Sequence, residues 1–108
     1  MAEVNRGEIW QFSFPHPNKR RPVLVLTRQE VIGHLHSVTV APITTTVRGI
    51  PSEVVIGPES GLKDVSAINL DNLATVPKDG LRLFVGTVTP EILDNIREAL
   101  LFALGFDD

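Results

Sequence analysis

The residues best suited to chemistry are three consecutive cations, Lys19, Arg20 and Arg21, which stand directly before Pro22 and the apolar run 23–26. Arginine presents a planar fork of donors that matches phosphate oxygens, and it can stabilise charge that develops on phosphorus. Because neighbouring residues of a strand point to opposite faces, we expect one of the two arginines to face a site and the other to face water or an acid. A basic triplet is also typical of a solvated turn, so both interpretations stay open.

A second candidate group is the run Thr44, Thr45 and Thr46, which we expect where a strand ends, with Arg48 two residues beyond. Hydroxyls at such a corner can donate to a phosphoryl oxygen, or they can satisfy backbone groups of the turn. The nearby Arg48 cation adds some weight to an anion site. From the residues alone, the sequence indicates a possible anion site without excluding a purely structural corner.

The histidines and one polar pair are weaker candidates. His34 and His36 have the spacing that would place them on one face of a predicted strand, where a metal pair is conceivable. No acid or cysteine at matching spacing accompanies them, so no metal site is predicted. His16 lies in a proline-bounded loop near the arginines and could transfer a proton, or could simply be solvated. Asp71 and Asn72 could read a base edge through hydrogen bonds, or could form an Asx turn.

Other kinds of site have no signal in the sequence. The acids are scattered, and none has the spacing of a paired-carboxylate or two-metal site. Gly-rich phosphate loops, HExxH and GxSxG are all absent. We therefore expect no metal and no cofactor.

Length and composition indicate the class of protein that carries these candidate residues. The 108 residues suit one domain spanning 1–108, and the apolar share of 43% suits a globular fold. No run approaches the roughly 18 apolar residues of a membrane span, and no signal peptide is predicted. Cysteine is absent, which excludes disulfides and a thiol nucleophile and fits a cytoplasmic location. The net charge of −3 argues mildly against wholesale nucleic-acid binding but allows a local basic groove.

The elements that must position these residues are mostly strands. Alternating or continuous apolar runs bounded by Gly, Pro, Asn and Asp predict short strands. They are expected at residues 9–14, 22–27, 36–43, 53–56, 65–70, 73–76 and 83–88, with 65–76 either two strands or one bent strand. Residues 28–33 are either a connection or one short turn.

One helix is predicted with strong end signals, over residues 90–104. Thr89 suits the N-cap, Pro90 the first helical position, and Gly105 the C-terminal stop. Several short strands followed by this helix predict a mainly β fold, a small, strongly bent β-barrel or sandwich with one terminal α-helix.

Several segments, in their order along the chain, resemble the MazF/PemK family of toxin endoribonucleases. The segments are Arg6-Gly7-Glu8-Ile9-Trp10, Lys19-Arg20-Arg21-Pro22-Val23-Leu24-Val25-Leu26, Pro42-Ile43-Thr44-Thr45, Arg48-Gly49-Ile50-Pro51-Ser52-Glu53-Val54 and Val85-Gly86-Thr87-Val88. Each motif alone is weak, but their order and spacing together are specific. The resemblance spans nearly the whole chain.

This resemblance implies an SH3-like barrel, usually dimeric, that cleaves single-stranded RNA such as mRNA at a short sequence. It implies cleavage without a metal, to a 2′,3′-cyclic phosphate and a 5′-hydroxyl, and neutralisation by a cognate antitoxin. By motif position, the family's catalytic arginine falls on Arg21 and its partner threonine on Thr44. A basic residue of some members falls on Arg48.

The resemblance also suggests roles for the remaining candidate residues. Lys19 and Arg20 are expected to hold the RNA backbone, and Thr45 and Asn72 to contact the RNA beside them. Many relatives carry a glutamate in the loop before the basic strand. Here that loop is Pro15-His16-Pro17-Asn18, so His16 is the candidate for proton transfer.

Two other functions compete with the nuclease. One is a non-catalytic toxin that acts by protein binding, as the similarly folded CcdB-type gyrase poisons do. Those toxins are associated with a Trp-Gly-Ile-like end, whereas this chain ends Leu104-Gly105-Phe106-Asp107-Asp108. The other is a degenerate relative that only binds RNA or a partner.

Overall fold

The computed structural model describes residues 3–15 and 20–107. The strands are β1 Glu8–Ser13, β2 Arg20–Val25, β3 Ser37–Thr44, β4 Glu53–Ile56, β5 Ser66–Asn69, β6 Ala74–Pro77 and β7 Leu83–Thr87. The α-helices are α1 Gln29–Ile32 and α2 Pro90–Leu104, and short 3-10 turns cover Pro58–Ser60 and Lys78–Gly80. This mostly β, curled sheet with one long C-terminal helix confirms the predicted fold class.

The sheet is organised around β3, its longest strand. The strand order is β4-β5-β3-β2-β1-β7, and β6 also pairs with β3. The first half of β3 pairs with β6, from Ser37 to Val40, and its end pairs with β5 at Ile43 and Thr44. Residues 65–76 are therefore two strands, because β5 and β6 pair with successive parts of the same strand. This arrangement curls the sheet into a half-barrel.

Two apolar cores form because alternate strand residues face opposite sides of the sheet. On β2, Leu24 belongs to one core, while Val23 and Val25 belong to the other. The first core is closed by Ile96 and Ala99 of α2, both buried. In the second, Trp10 is buried and Phe12 and Phe14 pack against it, as the alternation of the first strand predicted.

Helix α2 begins and ends where its sequence signals predict. The Thr89 hydroxyl oxygen accepts a hydrogen bond from the backbone N–H of Ile92 at 3.2 Å, which satisfies one free donor of the first turn. Gly105 takes the left-handed conformation at the other end, with φ of 79°. No helix in the described ranges is long and apolar enough to cross a membrane.

The structure corrects two expectations near the chain's first third. His34 and His36 do not share a strand face, because β3 starts only at Ser37 and the short helix α1 precedes them. The undecided residues 28–33 hold that helix. Strand β2 also begins at Arg20 rather than at Pro22, because pairing with β1 extends it backwards.

Candidate active site

The two arginines lie within strand β2 rather than in a turn before it. Arg20 pairs with Ser13 of β1 and is exposed, whereas Arg21 pairs with Phe12 and is half-buried. Because Phe12 packs against the core that contains Trp10, Arg21 stands at the margin of a rigid apolar face. Arg20 is thus turned to water and Arg21 lies against the scaffold, whereas the prediction that Arg21 faces a site stays a prediction.

The pairing of β2 with β3 brings Arg21 and Thr44 to the same level of the sheet. The register pairs Val23 with Pro42, so two residues further along each antiparallel strand are Arg21 on β2 and Thr44 on β3. Residues two apart share a face, so both lie on the face of that last pair. The β2–β3 ladder ends at the pair of Val23 and Pro42. Beyond it the strands part, and Arg21 and Thr44 are both half-buried there.

The Thr44 hydroxyl keeps its hydrogen available. Its oxygen accepts a hydrogen bond from the backbone N–H of Thr46 at 3.1 Å. A hydroxyl has one donor and two acceptor positions, and no acceptor for the Thr44 hydrogen is found among the described residues. The local turn therefore fixes the hydroxyl and leaves its O–H able to donate to an incoming oxygen.

The cations around this point are not neutralised by acids. Within residues 3–15 and 20–107, the one ion pair joins Arg97 and Glu98 on α2, at 3.4 Å, and both side chains are more than 70% exposed. Arg20, Arg21 and the exposed Arg48 have no carboxylate partner in those ranges. The planar fork of a guanidinium matches the oxygens of a phosphate or a carboxylate, so these arginines are available to an anionic ligand.

Thr45 and Arg48 lie on the loop of residues 45–52 that connects β3 to β4, which is exposed over residues 45–51 and buried at Ser52. Because β5 lies between these two strands, the loop must cross from one side of β5 to the other. The carboxylate of Glu53, at the start of β4, accepts hydrogen bonds from the backbone N–H groups of Arg48 and Gly49 at 3.0 and 3.1 Å. The loop is therefore braced although it is exposed.

Asn72 lies on the exposed bend that follows β5. The turn there is built by Asn69, whose side-chain oxygen accepts from the backbone N–H of Asp71 at 2.9 Å. The Ser52 hydroxyl donates to the Asp71 carboxylate at 2.5 Å, which joins the bend to the end of the 45–52 loop. The Asx turn is thus made by Asn69 rather than by Asp71, and Asn72 is exposed beside it, so its contact with a base stays a prediction.

Some predictions lie outside these observations. His16 and Lys19 fall outside the described residues. In the described ranges, no group of three or more potential metal ligands comes together, and His34 and His36 form none. Sequence reasoning missed Glu53 and the Ser52–Asp71 contact. The available signal was an acid shortly after Gly49 and a small polar residue after Pro51, both typical of a braced turn.

Comparison with known protein families identifies the family of this chain. A curled antiparallel sheet with a C-terminal helix holds an arginine and a threonine hydroxyl at the open end of two neighbouring strands. Residues 5–104 match the family described as "PemK-like, MazF-like toxin of type II toxin-antitoxin system". The chain belongs to this family.

Similar proteins of known sequence carry endoribonuclease names. The chain is 42% identical over 90 residues to Endoribonuclease MazF3 of Mycobacterium tuberculosis, which covers 83% of this chain and 87% of that protein. It is 46% identical over 72 residues to Probable endoribonuclease MazF5 of the same species, covering 66% of this chain and 65% of that one.

Solved structures agree with the fold. The Mycobacterium tuberculosis toxin MazF-mt6 superposes with a TM-score of 0.86 at 39% identity, covering 94% of this chain and 99% of that one. An endoribonuclease from a mycobacterial species, solved in complex with its cognate antitoxin, gives a TM-score of 0.86 at 32% identity and covers 95% and 96% of the two chains.

Proposed function

We propose that this protein is a sequence-specific endoribonuclease toxin that cleaves single-stranded RNA, mRNA in particular, without a metal ion. That the protein is a MazF-type endoribonuclease toxin follows from family membership. The observation that supports this mechanism is the β2–β3 register, because the residues two positions beyond its last pair are Arg21 and Thr44, on the same face. A single toxin domain over residues 1–108 would supply the site.

The proposed reaction uses a nucleophile that the RNA itself contains. The 2′-oxygen forms a bond to the adjacent phosphorus while the bond from phosphorus to the 5′-oxygen breaks. The 2′-hydroxyl proton leaves to a base and the 5′-oxygen receives a proton, which gives a 2′,3′-cyclic phosphate and a 5′-hydroxyl. The protein must supply orientation, proton transfer and charge stabilisation.

Each catalytic candidate has a role suited to its chemistry. Arg21 stabilises the charge that builds on the non-bridging oxygens, because its guanidinium is permanently charged and lacks an acidic partner in the described ranges. Thr44 donates its free O–H to one of these oxygens. His16 is our candidate for proton transfer in place of the loop glutamate of relatives. If His16→Ala cleaves RNA at the wild-type rate from pH 5 to 8, that role is refuted.

The flanking residues would hold the RNA. Lys19 and Arg20 are proposed to contact backbone phosphates, and Thr45, Arg48 and Asn72 the nucleotides beside them. Single-stranded RNA is recognised through splayed bases and phosphate contacts, which exposed loop residues on a rigid sheet can make. The loop and bend that carry Thr45, Arg48 and Asn72 are exposed yet internally hydrogen-bonded.

The cleavage reaction tests the proposal directly. A long single-stranded RNA is incubated with the protein in EDTA, alongside Arg21→Ala and Thr44→Ala. Removing one such stabilising donor should lower the rate by about 10²–10³-fold. Arg28→Ala and Thr75→Ala serve as matched controls, because they remove the same groups from exposed positions directly before α1 and on β6. Intact RNA in every tube would reject the nuclease and favour a protein-binding toxin.

Partners are proposed on the same basis. We expect a cognate antitoxin that lays an extended or helical segment over the RNA groove and so blocks it. Full inhibition that left RNA binding untouched would contradict this. A cytoplasmic location accords with an RNA substrate and the lack of cysteine.

We also expect a homodimer. Phe102, Leu104 and Phe106, at or just beyond the end of α2, are 48%, 55% and 71% exposed. Leu104 and Phe106 also line a groove of about 540 Å³ whose other apolar residues are mostly leucines. Sedimentation that showed only monomer at micromolar concentration would contradict a homodimer.

A further inference from the structure

The carboxylate of Glu53 occupies an anion site made by the protein's own backbone. Its Oε1 atom accepts hydrogen bonds from two successive N–H groups, those of Arg48 and Gly49, at 3.0 and 3.1 Å. Gly49 has a φ of 72°, the left-handed conformation that lets two consecutive N–H groups converge. Such a concave pair of backbone donors is a common anion-binding arrangement.

The same residue also closes the next turn. The backbone N–H of Glu53 donates to the carbonyl of Ile50 at 3.0 Å, across a turn with Pro51 at its second position. Glu53 therefore holds the chain at Ile50 through its backbone and at Arg48 and Gly49 through its side chain. Strand β4 begins at Glu53 and pairs it with Asn69 of β5, so this anchor is fixed to the sheet.

Arg48 depends on that anchor for its position. The side chains of residues 45–51 are exposed, so little packing holds the loop in place. An unbraced loop of this kind samples many conformations, and ordering it on RNA binding would cost affinity. Fixing the backbone at Arg48 removes part of that cost before RNA arrives.

We propose that Glu53 is a positioning residue for RNA recognition, which acts by holding the backbone of Arg48 and Gly49 so that the Arg48 guanidinium meets the RNA in one orientation. This inference rests on the proposed function and deepens it. The carboxylate does not touch RNA in this account. Its effect is carried entirely by the loop that it holds.

The variants Glu53→Ala and Glu53→Gln separate the hydrogen bonds from the charge. Alanine removes the acceptor, and we expect KM for RNA to rise about tenfold while kcat at saturating RNA changes little, since charge-assisted hydrogen bonds of this kind are worth about that factor. Glutamine keeps an oxygen that can accept from both N–H groups, and it should recover most of the loss. Val55→Ala is the matched control, because Val55 lies two residues along the same strand, on the same face, and is 49% exposed.

A double-mutant cycle with Arg48→Ala tests whether Glu53 affects KM for RNA through Arg48. If Glu53 acts through Arg48, Glu53→Ala should raise KM no further once Arg48 has been removed. Amide hydrogen exchange of Arg48 and Gly49 gives a readout that does not depend on cleavage. It should speed up in Glu53→Ala, and stay near the wild-type rate in Glu53→Gln and Val55→Ala.

The outcomes distinguish this inference from the proposed function. Wild-type KM in Glu53→Ala, or effects of Glu53→Ala and Arg48→Ala that simply add, would overturn the positioning role. If the wild-type protein cleaved no RNA, the proposed function itself would fail. In that case the exchange comparison would still decide whether Glu53 holds the loop, and unchanged exchange in Glu53→Ala would overturn the inference.

Discussion

Replacing Gly86 with alanine should strongly destabilise this protein, because β7 and the turn that precedes β5 meet backbone to backbone at this residue. A Cβ atom on Gly86 would lie 2.8 Å from the carbonyl carbon of Ser60 and 3.2 Å from the Cα atom of Gly61, and it would overlap the Ser60 carbonyl oxygen. Gly86 also pairs with Ile9 next to a register irregularity between β1 and β7. A glycine at such a position permits a close approach that no other residue allows.

The size of the effect follows from which atoms must move. Overpacked sites usually cost about 1–3 kcal/mol, and the upper end applies when the obstacle is backbone rather than a flexible side chain. We therefore expect Gly86→Ala to lower the free energy of unfolding by about 3 kcal/mol. For a domain of this size, that corresponds to a fall in Tm of roughly 12–24 °C.

Urea unfolding at one fixed protein concentration measures this change, because assembly would otherwise alter the apparent stability. Gly33→Ala is the matched control. Gly33 has a φ of −64°, and a Cβ atom there would meet nothing within 4 Å. Gly33→Ala should raise the free energy of unfolding by about 0.4–1 kcal/mol, because alanine lowers the conformational entropy of the unfolded chain. A Gly86→Ala protein as stable as the wild type would refute the close approach of the turn to β7.

Three further predictions use the same unfolding assay. Thr89→Ala removes the N-cap acceptor of α2 and should cost about 1 kcal/mol, so an unchanged urea midpoint would contradict the cap. Leu24→Ala empties a fully buried core position and should cost about 3 kcal/mol, whereas a loss below about 1 kcal/mol would show that the core can collapse around it. Ser52→Ala breaks the 2.5 Å hydrogen bond to Asp71 and should cost about 1 kcal/mol. Because the bend with Asn72 is released, it should also raise KM for RNA more than it lowers kcat, and the reverse pattern would contradict this.

Local signals account for the parts of the fold that the sequence predicted well. Helix α2 runs from Pro90 to Leu104 because a threonine cap, a first-turn proline and a terminal glycine mark its ends within a few residues. Strand β4, Glu53–Ile56, was predicted at its observed bounds for a similar reason, since turn residues stand on both sides of it.

Strand pairing and one short helix account for what the sequence did not predict. Strand β2 starts at Arg20 because Ser13 and Phe12 of β1 pair with its two arginines, and no local pattern carries that information. His34 and His36 were wrongly placed on a strand face because a four-residue helix, too short for a periodic signal, takes up the preceding residues. The first error arises from strand pairing, and the second from a local element too short to show a pattern.

The candidate site shows the same limit. Arg21 and Thr44 could be named from their motifs, but the level at which they meet depends on the β2–β3 register. Glu53 was missed because its partners are backbone N–H groups, which every residue except proline possesses, so the one signal was an acid shortly after Gly49. A side chain that binds backbone groups requires no particular residue type at its partners' positions, so the sequence contains almost no pattern that identifies it.

We propose that the RNA's own 2′-hydroxyl is the nucleophile and that Arg21 and Thr44 promote its attack. The most direct measurement is mass spectrometry of the ends formed in EDTA from an RNA and from a copy with one 2′-deoxy nucleotide at the cleavage site. We predict 2′,3′-cyclic phosphate and 5′-hydroxyl ends from the RNA, and no cleavage at the deoxy position. Cleavage of the deoxy copy at that bond, or 5′-phosphate ends from either substrate, would contradict the mechanism.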